Sequence, residues 1–387
     1  MNGPLAGLTV IDLTRALAGP HAGMMLGDLG ARVIKVEAPS GDDTRAWGPP
    51  FVDGVSTYFL SCNRNKESIV LDLKSDTDRG ILDRMLAEAD VLLENFRPGT
   101  LDRLGFTAER LADINPGLVT LSISGFGHDG PEGGRAGYDQ IAQGEGGLMS
   151  LTGADPSHPQ RVGVPIADLL AGIHGVVGVL AALREREETG VGGRVRTSLL
   201  AGMVGVHAFE GTRWTVAGEA GAASGNHHPS IAPYGLFPCG DGAVQLSVGS
   251  ESLWRRFAVS FGIDADDLRF VDNPARVAHR DELICEIEQR FAGIGSVELL
   301  ERLAAAGVPA GRVRTIDEVY EWEQTSSQGL IVDTVHPVLG AIRLPGPPLR
   351  FFDIHDGETT PRGHTPPPDL DEHGAALREE FRPALAG

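Results

Sequence analysis

Over the first 125 residues, short apolar runs alternate with stretches in which apolar positions recur every three or four residues. The runs "LTVIDLT" (8–14), "ARVIKVE" (31–37), "SIVLDL" (68–73), "VLLENF" (91–96) and "GLVTLSISGFG" (117–127) have the length and side-chain content of buried strands. Between them, "HAGMMLGDLG" (21–30) and "DTDRGILDRMLAEA" (76–89) carry helical spacing, the second with Ser75 placed as its N-cap. Apolar strands separated by helices of this length predict an α/β chain with a parallel sheet covered on both faces.

Glycine and proline crowd residues 125–165, which predicts loop, and loops hung on a rigid sheet are where sites tend to lie. A long apolar helix is expected from Asp168, followed by "GGRVRTSLL", a further strand and helix. After about Ala220 the texture changes. "PYGLFPCGDGAVQLSVGS" reads as a hairpin and 251–306 as mostly amphipathic helix. Strand–turn pieces then lead through a proline-rich stretch to a terminal helix, with no internal repeat and no low-complexity tail.

The composition changes this picture little but narrows the partners. The 33 basic and 53 acidic residues give a net charge of −20, which argues against nucleic acid and anionic membrane surfaces as partners. Cys62, Cys239 and Cys285 lie far apart without a C-x-x-C, so no disulfide framework, zinc site or other metal centre is expected, and a reducing, cytoplasmic compartment fits. The start of the chain lacks a basic stretch leading into an apolar core. The longest apolar run, Leu169–Leu183, contains His174 and falls short of the ~20 residues of a membrane span.

Conventional catalytic motifs are missing: no G-x-S-x-G, no Walker A loop, no H-E-x-x-H. The first turn, "RALAGPHAG", lacks the G-x-G-x-x-G that lets a backbone approach a pyrophosphate, which disfavours NAD or FAD. His227 and His228 in "SGNHHPSIAPYG" are adjacent, and adjacent loop histidines seldom point the same way, so pocket or surface lining is the simpler reading. His128 in "GFGHDGP" reads as an exposed turn residue. Asp168 stands alone at the mouth of the long helix. Capping the helix, worth about 1 kcal/mol, is the simpler reading of that position. The other is a nucleophile kept ionised by the helix N-terminus, since carboxylates can attack acyl groups. Gly172, Gly175 and Gly178 form a small-residue stripe suited to close packing.

At "GVPIADLLAG" (163–172) the chain resembles the class III CoA-transferases, a group that includes formyl-CoA:oxalate and carnitine CoA-transferases and, as a branch, α-methylacyl-CoA racemase. Blocks similar to the family run in its order from end to end: "LAGPHAGMMLGDLGARVIKVEAPSGDDTR" (17–45), "NRNKESIVLDLK" (63–74), "LLENFRPGTLDRLGF" (92–106), "ISGFGHDGP" (123–131), "AGYDQIAQGEGGLMSLTG" (136–153), "GVPAGRVRTIDEV" (307–319) and "LPGPPLRF" (344–351). The resemblance implies a large Rossmann-like domain with a smaller α+β domain inserted. Its expected bounds are 1–200 for the N-terminal part, 201–225 for a linker, 226–320 for the small domain and 321–387 for a return segment completing the large one. It also implies an interlocked homodimer.

By the same resemblance Asp168 is the catalytic residue. Coenzyme A or acyl-CoA is the substrate, a free carboxylic acid is the acceptor, and no cofactor is held covalently. Leu17 and Ala18 would line the CoA path, Leu73 would support the adenine, Asn95, Phe96 and Tyr138 would lie beside the ligand, and Arg103 and Leu104 would flank the nucleotide end. Leu17 stands where formyl-CoA transferases carry Gln, and their glycine-rich lid is missing here. "SGNHHPSIAPYG" is closer to succinyl-CoA-using or dicarboxylate branches, making His227 and His228 candidates for the acceptor carboxylate. The alternative activity is 2-methylacyl-CoA racemisation, which needs two bases on opposite faces of the α-carbon. Glu251 matches one racemase position, but Tyr138 replaces the expected His, and tyrosine, with a reference pKa of ~10, is a poor base at neutral pH.

Overall fold

The computed structural model describes residues 3–382, so the first two and last five positions of the expected large domain lie outside the described residues. The chain divides into two compact units. The first comprises Met1–Leu148, Val162–Gly218 and Glu323–Gly387; the second comprises Met149–Arg161 and Glu219–Trp322.

The first unit is built on a six-stranded sheet of β1 (Thr9–Asp12), β2 (Arg32–Glu37), β3 (Lys66–Val70), β4 (Val91–Glu94), β5 (Val119–Ser124) and β6 (Arg194–Ser198). The spatial order is β3-β2-β1-β4-β5-β6 and every neighbouring pair runs parallel. β1 is central, with Val10 opposite Val33 of β2 and Val91 of β4. Alternate residues enter opposite layers, as the period of two requires. Val10, Val33, Val91 and Leu93 pack with α1 (Ala18–Asp28) and α4 (Ile166–Thr189), whereas Ile11, Ile34 and Leu92 pack with α2 (Asp76–Glu88). Ser75 is the N-cap of α2 by position, but its side chain makes no capping bond. The first unit also holds α3 (Asp139–Glu145), α5 (Leu199–Gly205) and α6 (Ala208–Ala217); the last two occupy residues for which a linker was expected.

Helix α4 corrects one expectation. It runs 24 residues and is long and apolar enough to cross a membrane by length and composition, where the sequence suggested too short a run. Its glycines explain how it sits in the unit. A Cβ on Gly172 would lie 2.7 Å from the Ala18 carbonyl oxygen and one on Gly175 2.7 Å from Leu121 Cδ2, while one on Gly178 would overlap Val195. The small-residue stripe is therefore tight packing, and at Gly172 it brings the start of α1 against the first turns of α4.

The second unit contains the expected hairpin, β7 (Tyr234–Cys239) with β8 (Gly242–Ser247), to which β9 (Ala310–Arg312) adds antiparallel. Helices α7 (Glu251–Phe261), α8 (Arg280–Phe291) and α9 (Ser296–Ala305) enclose a core rich in aromatics, including Phe237, Trp254, Phe257, Phe270 and Phe291.

The return segment rejoins the first unit as a hairpin, β10 (Ile331–His336) and β11 (Gly340–Pro345), followed by α10 (Gly374–Glu380). Leu377 and Phe381 enter the α2 layer. A buried cluster fastens the hairpin end: Arg64 grips Asp28 at 2.6 and 2.8 Å and donates to the Pro345 carbonyl at 2.7 Å.

Candidate active site

In an open parallel sheet the carboxyl ends of the strands, at the point where strand order reverses, form the natural crevice. Here that point lies between β1 and β4. The segment Thr14–Ala18, after β1, is braced from below by buried charge. Asp12 accepts the Thr14 N–H at 2.9 Å and Lys66 Nζ at 2.9 Å; Lys66 also donates to the Pro20 carbonyl at 2.8 Å. Lys35 Nζ joins the Thr14 carbonyl and Asp42, both at 2.9 Å, and Asp42 accepts the Ala16 N–H at 3.3 Å. The brace holds Ala16 at φ +66°, a left-handed conformation unusual for a residue with a Cβ. Asn95, after β4, ties the neighbouring loop to it through two bonds with the Arg15 backbone at 2.9 and 2.7 Å.

Asp168 sits in the first turn of α4, yet it does not cap that helix. Pro165 is the N-cap, and Asp139 Oδ1, on α3, accepts the N–H groups of Ala167 at 2.8 Å and Asp168 at 3.4 Å. Asp139 therefore does the capping that the sequence allowed for Asp168. Among the described residues none pairs with the Asp168 carboxylate. Burial and, after it, the nearby Asp139 push its pKa up to about 7, opposite to the expectation that the helix N-terminus keeps it fully ionised. The helix dipole is worth at most ~2 kcal/mol even in partly buried geometry, and here it loses. Tyr58 is also pushed up, by burial and by Asp168, and so remains a neutral hydroxyl. Trp47 packs edge-on to it at 5.1 Å.

Two cavities open along the strand ends. One of about 400 Å³ contains Asp168 and is walled by the loops after β1 and β4, by Ser124 and Gly125, by Tyr58, and by the Arg135–Asp139 segment. The second, of about 210 Å³, has an apolar wall of Leu71, Leu73 and Leu104, with Lys74 on its rim. Arg15 and Phe96 line both, so the cavities adjoin.

The family model for CoA-transferase family III matches residues 5–374. The chain is a CoA-transferase of that family. It is 40% identical to the acetyl-CoA:oxalate CoA-transferase of Acetobacter aceti, over 98% of this chain and 96% of that protein. It is 39% identical to the succinate–glutarate CoA-transferase of Agrobacterium fabrum, with the same coverage. Among solved structures, a CaiB/BaiF family protein from Brucella suis is 41% identical and superposes with a TM-score of 0.86, over 98% of this chain and all of that one.

The family III fold brings together most of the residues expected from the sequence. Leu17, Ala18, Asn95, Phe96, Tyr138 and Asp168 line the larger cavity, and Leu73, Phe96 and Leu104 line the smaller. Phe96 also packs on the α2-layer core, so it serves the core and lines both cavities at once. Arg103 lines neither; its guanidinium donates to Thr100 Oγ1 at 2.8 Å on the surface.

His227, His228 and Glu251 belong to the second unit and line neither cavity. His227 packs edge-on to Phe237 at 5.3 Å, and His228 stacks on Tyr234 at 5.1 Å. Glu251, exposed at the start of α7, pairs with the buried Arg276 at 2.8 Å and takes the Asn273 N–H at 3.0 Å. Sequence reasoning missed Asp139, Tyr58, Trp47, Arg15 and Arg135. Only Asp139 left a signal, as the acid after Tyr138 in "AGYD". Among the described residues no group of three His, Cys, Asp or Glu side chains is placed to hold a metal.

Proposed function

We propose that Asp168 is the nucleophile of a CoA transfer from an acyl-CoA donor to a dicarboxylic acid, with the acyl-CoA lying along the two adjoining cavities. The observation that carries this reading is Asp168 itself: half-buried, without a cationic partner and lining the larger cavity. Its ionised form attacks the donor thioester carbonyl, the C–S bond breaks, and CoA leaves as thiolate from an acyl–aspartyl anhydride. The thiolate then attacks the aspartyl carbonyl, releasing the donor acid and leaving an aspartyl-CoA thioester. The acceptor carboxylate attacks that thioester to form a second anhydride. CoA thiolate attacks its acceptor-side carbonyl, giving the new acyl-CoA and free Asp168. Each step exchanges activated acyl groups of similar energy, so no external energy source is needed.

A carboxylate with a raised pKa is the more basic, stronger nucleophile once ionised, and at neutral pH a large fraction is ionised. The apolar niche at Leu71, Leu73 and Leu104 suits an adenine ring, and Lys74, Arg97 and Arg15 supply cations near the path for phosphate or carboxylate groups. A dicarboxylate acceptor is supported by the oxalate and glutarate named for the two relatives above, and succinyl-CoA as donor by a succinyl-CoA:mesaconate CoA-transferase of Haloarcula hispanica, 35% identical. The exposed apolar side chains Ile173, Val177 and Leu180 on α4, with Phe209 and Trp214 on α6, support the homodimer implied by the family. The three unpaired cysteines fit a reducing, cytoplasmic compartment.

The test is transfer in D₂O, followed by mass spectrometry, with acetyl-CoA or succinyl-CoA, a 2-methylacyl-CoA, and a panel of mono- and dicarboxylic acids. New CoA esters of dicarboxylates, absent with Asp168→Asn, support the reading. Deuterium entering the 2-methylacyl group with no new ester would replace it with racemisation.

A further inference from the structure

Glu94, half-buried at the end of β4, is an acid beside the loops of the site that the proposed mechanism does not use. It lines neither cavity of the proposed acyl-CoA path. It lines instead a third one, of about 200 Å³, that shares Arg97 and Pro98 with the larger cavity. Its carboxylate Oε2 accepts the Phe96 N–H at 2.8 Å, and its Oε1 accepts from the Ser122 hydroxyl. His128, expected as an exposed turn residue, is half-buried, with Nε2 2.7 Å from Ser122 Oγ and Nδ1 3.4 Å from Ser124 Oγ. Ser124 in turn lines the larger cavity and takes the Gly127 N–H at 3.1 Å. One cluster therefore grips both the loop after β4 and the end of β5.

We propose that Glu94 is a positioning residue for acyl-CoA: it fixes Phe96, the side chain common to both cavities, without touching a ligand in either. Asn95 has its own anchors on the Arg15 backbone, so losing Glu94 leaves the loop attached but frees Phe96. The Arg15 guanidinium lies 5.8 Å from the Phe96 ring centre, so a displaced ring also disturbs the cation beside it. The bond to the Phe96 N–H needs an acceptor oxygen at that reach and not a charge. Glutamine supplies the oxygen; aspartate, one methylene shorter, does not.

This inference rests on the proposed course of acyl-CoA along the two cavities, so the experiment includes Phe96→Ala. Dissociation constants for CoA are measured by calorimetry for the wild type and for Glu94→Ala, Glu94→Asp, Glu94→Gln and Phe96→Ala, with kcat at saturating acyl-CoA and the acceptor KM alongside. Glu94→Ala and Glu94→Asp are expected to weaken CoA binding by up to about tenfold, the upper range for one lost neutral hydrogen bond. In both, kcat and the acceptor KM stay within about threefold, and Glu94→Gln restores CoA binding to within about threefold of the wild type. Wild-type CoA binding in folded Ala or Asp variants, with weakened binding in Phe96→Ala, overturns the role of Glu94 alone. Unchanged binding in Phe96→Ala overturns the path. Parallel losses in CoA binding, kcat and acceptor KM assign Glu94 to general stability, and a Gln variant as weak as Ala refutes the hydrogen-bond argument. If the Ala variant does not fold, the Asp and Gln variants decide.

Discussion

Two sets of buried aspartates lie within the same unit, and they have opposite fates. In the brace, burial pushes Asp12 and Asp42 up, but Lys66 and Lys35 beside the first and Lys35 beside the second hold both below the usual carboxylate range. Asp168, half-buried, has no cation beside it, and burial first and the Asp139 charge second raise its pKa to about 7. Burial alone therefore does not separate a structural carboxylate from a reactive one. The neighbour does: a lysine holds a buried aspartate ionised as a fixed prop, whereas with no cation beside it burial leaves Asp168 the more basic group, and Asp139 adds to that. The props hold Thr14–Ala18, which forms one wall of the cavity that Asp168 lines.

The sharpest way to break this comparison is to remove Asp168. Asp168→Asn should lower transfer by at least about 10⁴-fold, the usual scale for losing a nucleophile. It should also stabilise the protein at high pH. Because the folded pKa lies above the unfolded value of 3.8, the wild type loses stability as pH rises from about 4 to about 7, and the Asn variant does not. The gain in urea unfolding at pH 8 is expected to be about 2–4 kcal/mol and to vanish near pH 3.5. The props should behave in the reverse sense. Lys35→Met leaves Asp42 buried without its cation and should destabilise the protein by about 3–5 kcal/mol at pH 7, read by the same unfolding curves.

A smaller effect separates the geometry from the charges. Gly172→Ala places a methyl against the Ala18 carbonyl and should cost about 1–3 kcal/mol, with a rise in acyl-CoA KM as the start of α1 shifts. The smallest sharpens the cause of the raised pKa. Asp139→Asn keeps an oxygen for the N–H groups of Ala167 and Asp168 but removes the like charge, so the acid limb of the pH–rate profile should move to lower pH. It should move only in part, since burial is the larger cause.

The sheet was legible because its signal is local and periodic. Strands buried on both faces read as apolar runs, and the observed β1, β2, β4 and β5 fall within the expected segments, while β3 begins at Lys66 because that lysine is held inside by Asp12. Leu17, Asn95, Phe96 and Tyr138 are marked by resemblance to the family's blocks and not by any period, and all four line the larger cavity. What sequence could not show was which distant side chains meet. Asp139 and Asp168 are 29 positions apart and become neighbours only because α3 delivers its acid to the start of α4. Tyr58 lies in a single helical turn and Trp47 just after a short 3-10 turn, elements too short to show a period. His227, His228 and Glu251 are marked from sequence without their neighbours, and the structure gives each a ring or ion-pair contact within the second unit.

The most direct test is to catch Asp168 carrying CoA. The protein would be mixed with acyl-CoA without acceptor acid across pH 5–9, quenched, digested and read by mass spectrometry. A peptide bearing Asp168, heavier by CoA less one water and half-formed in initial rate near pH 7, is the predicted result; an active enzyme that carries the adduct at another residue, or forms it with no dependence on pH, would contradict it.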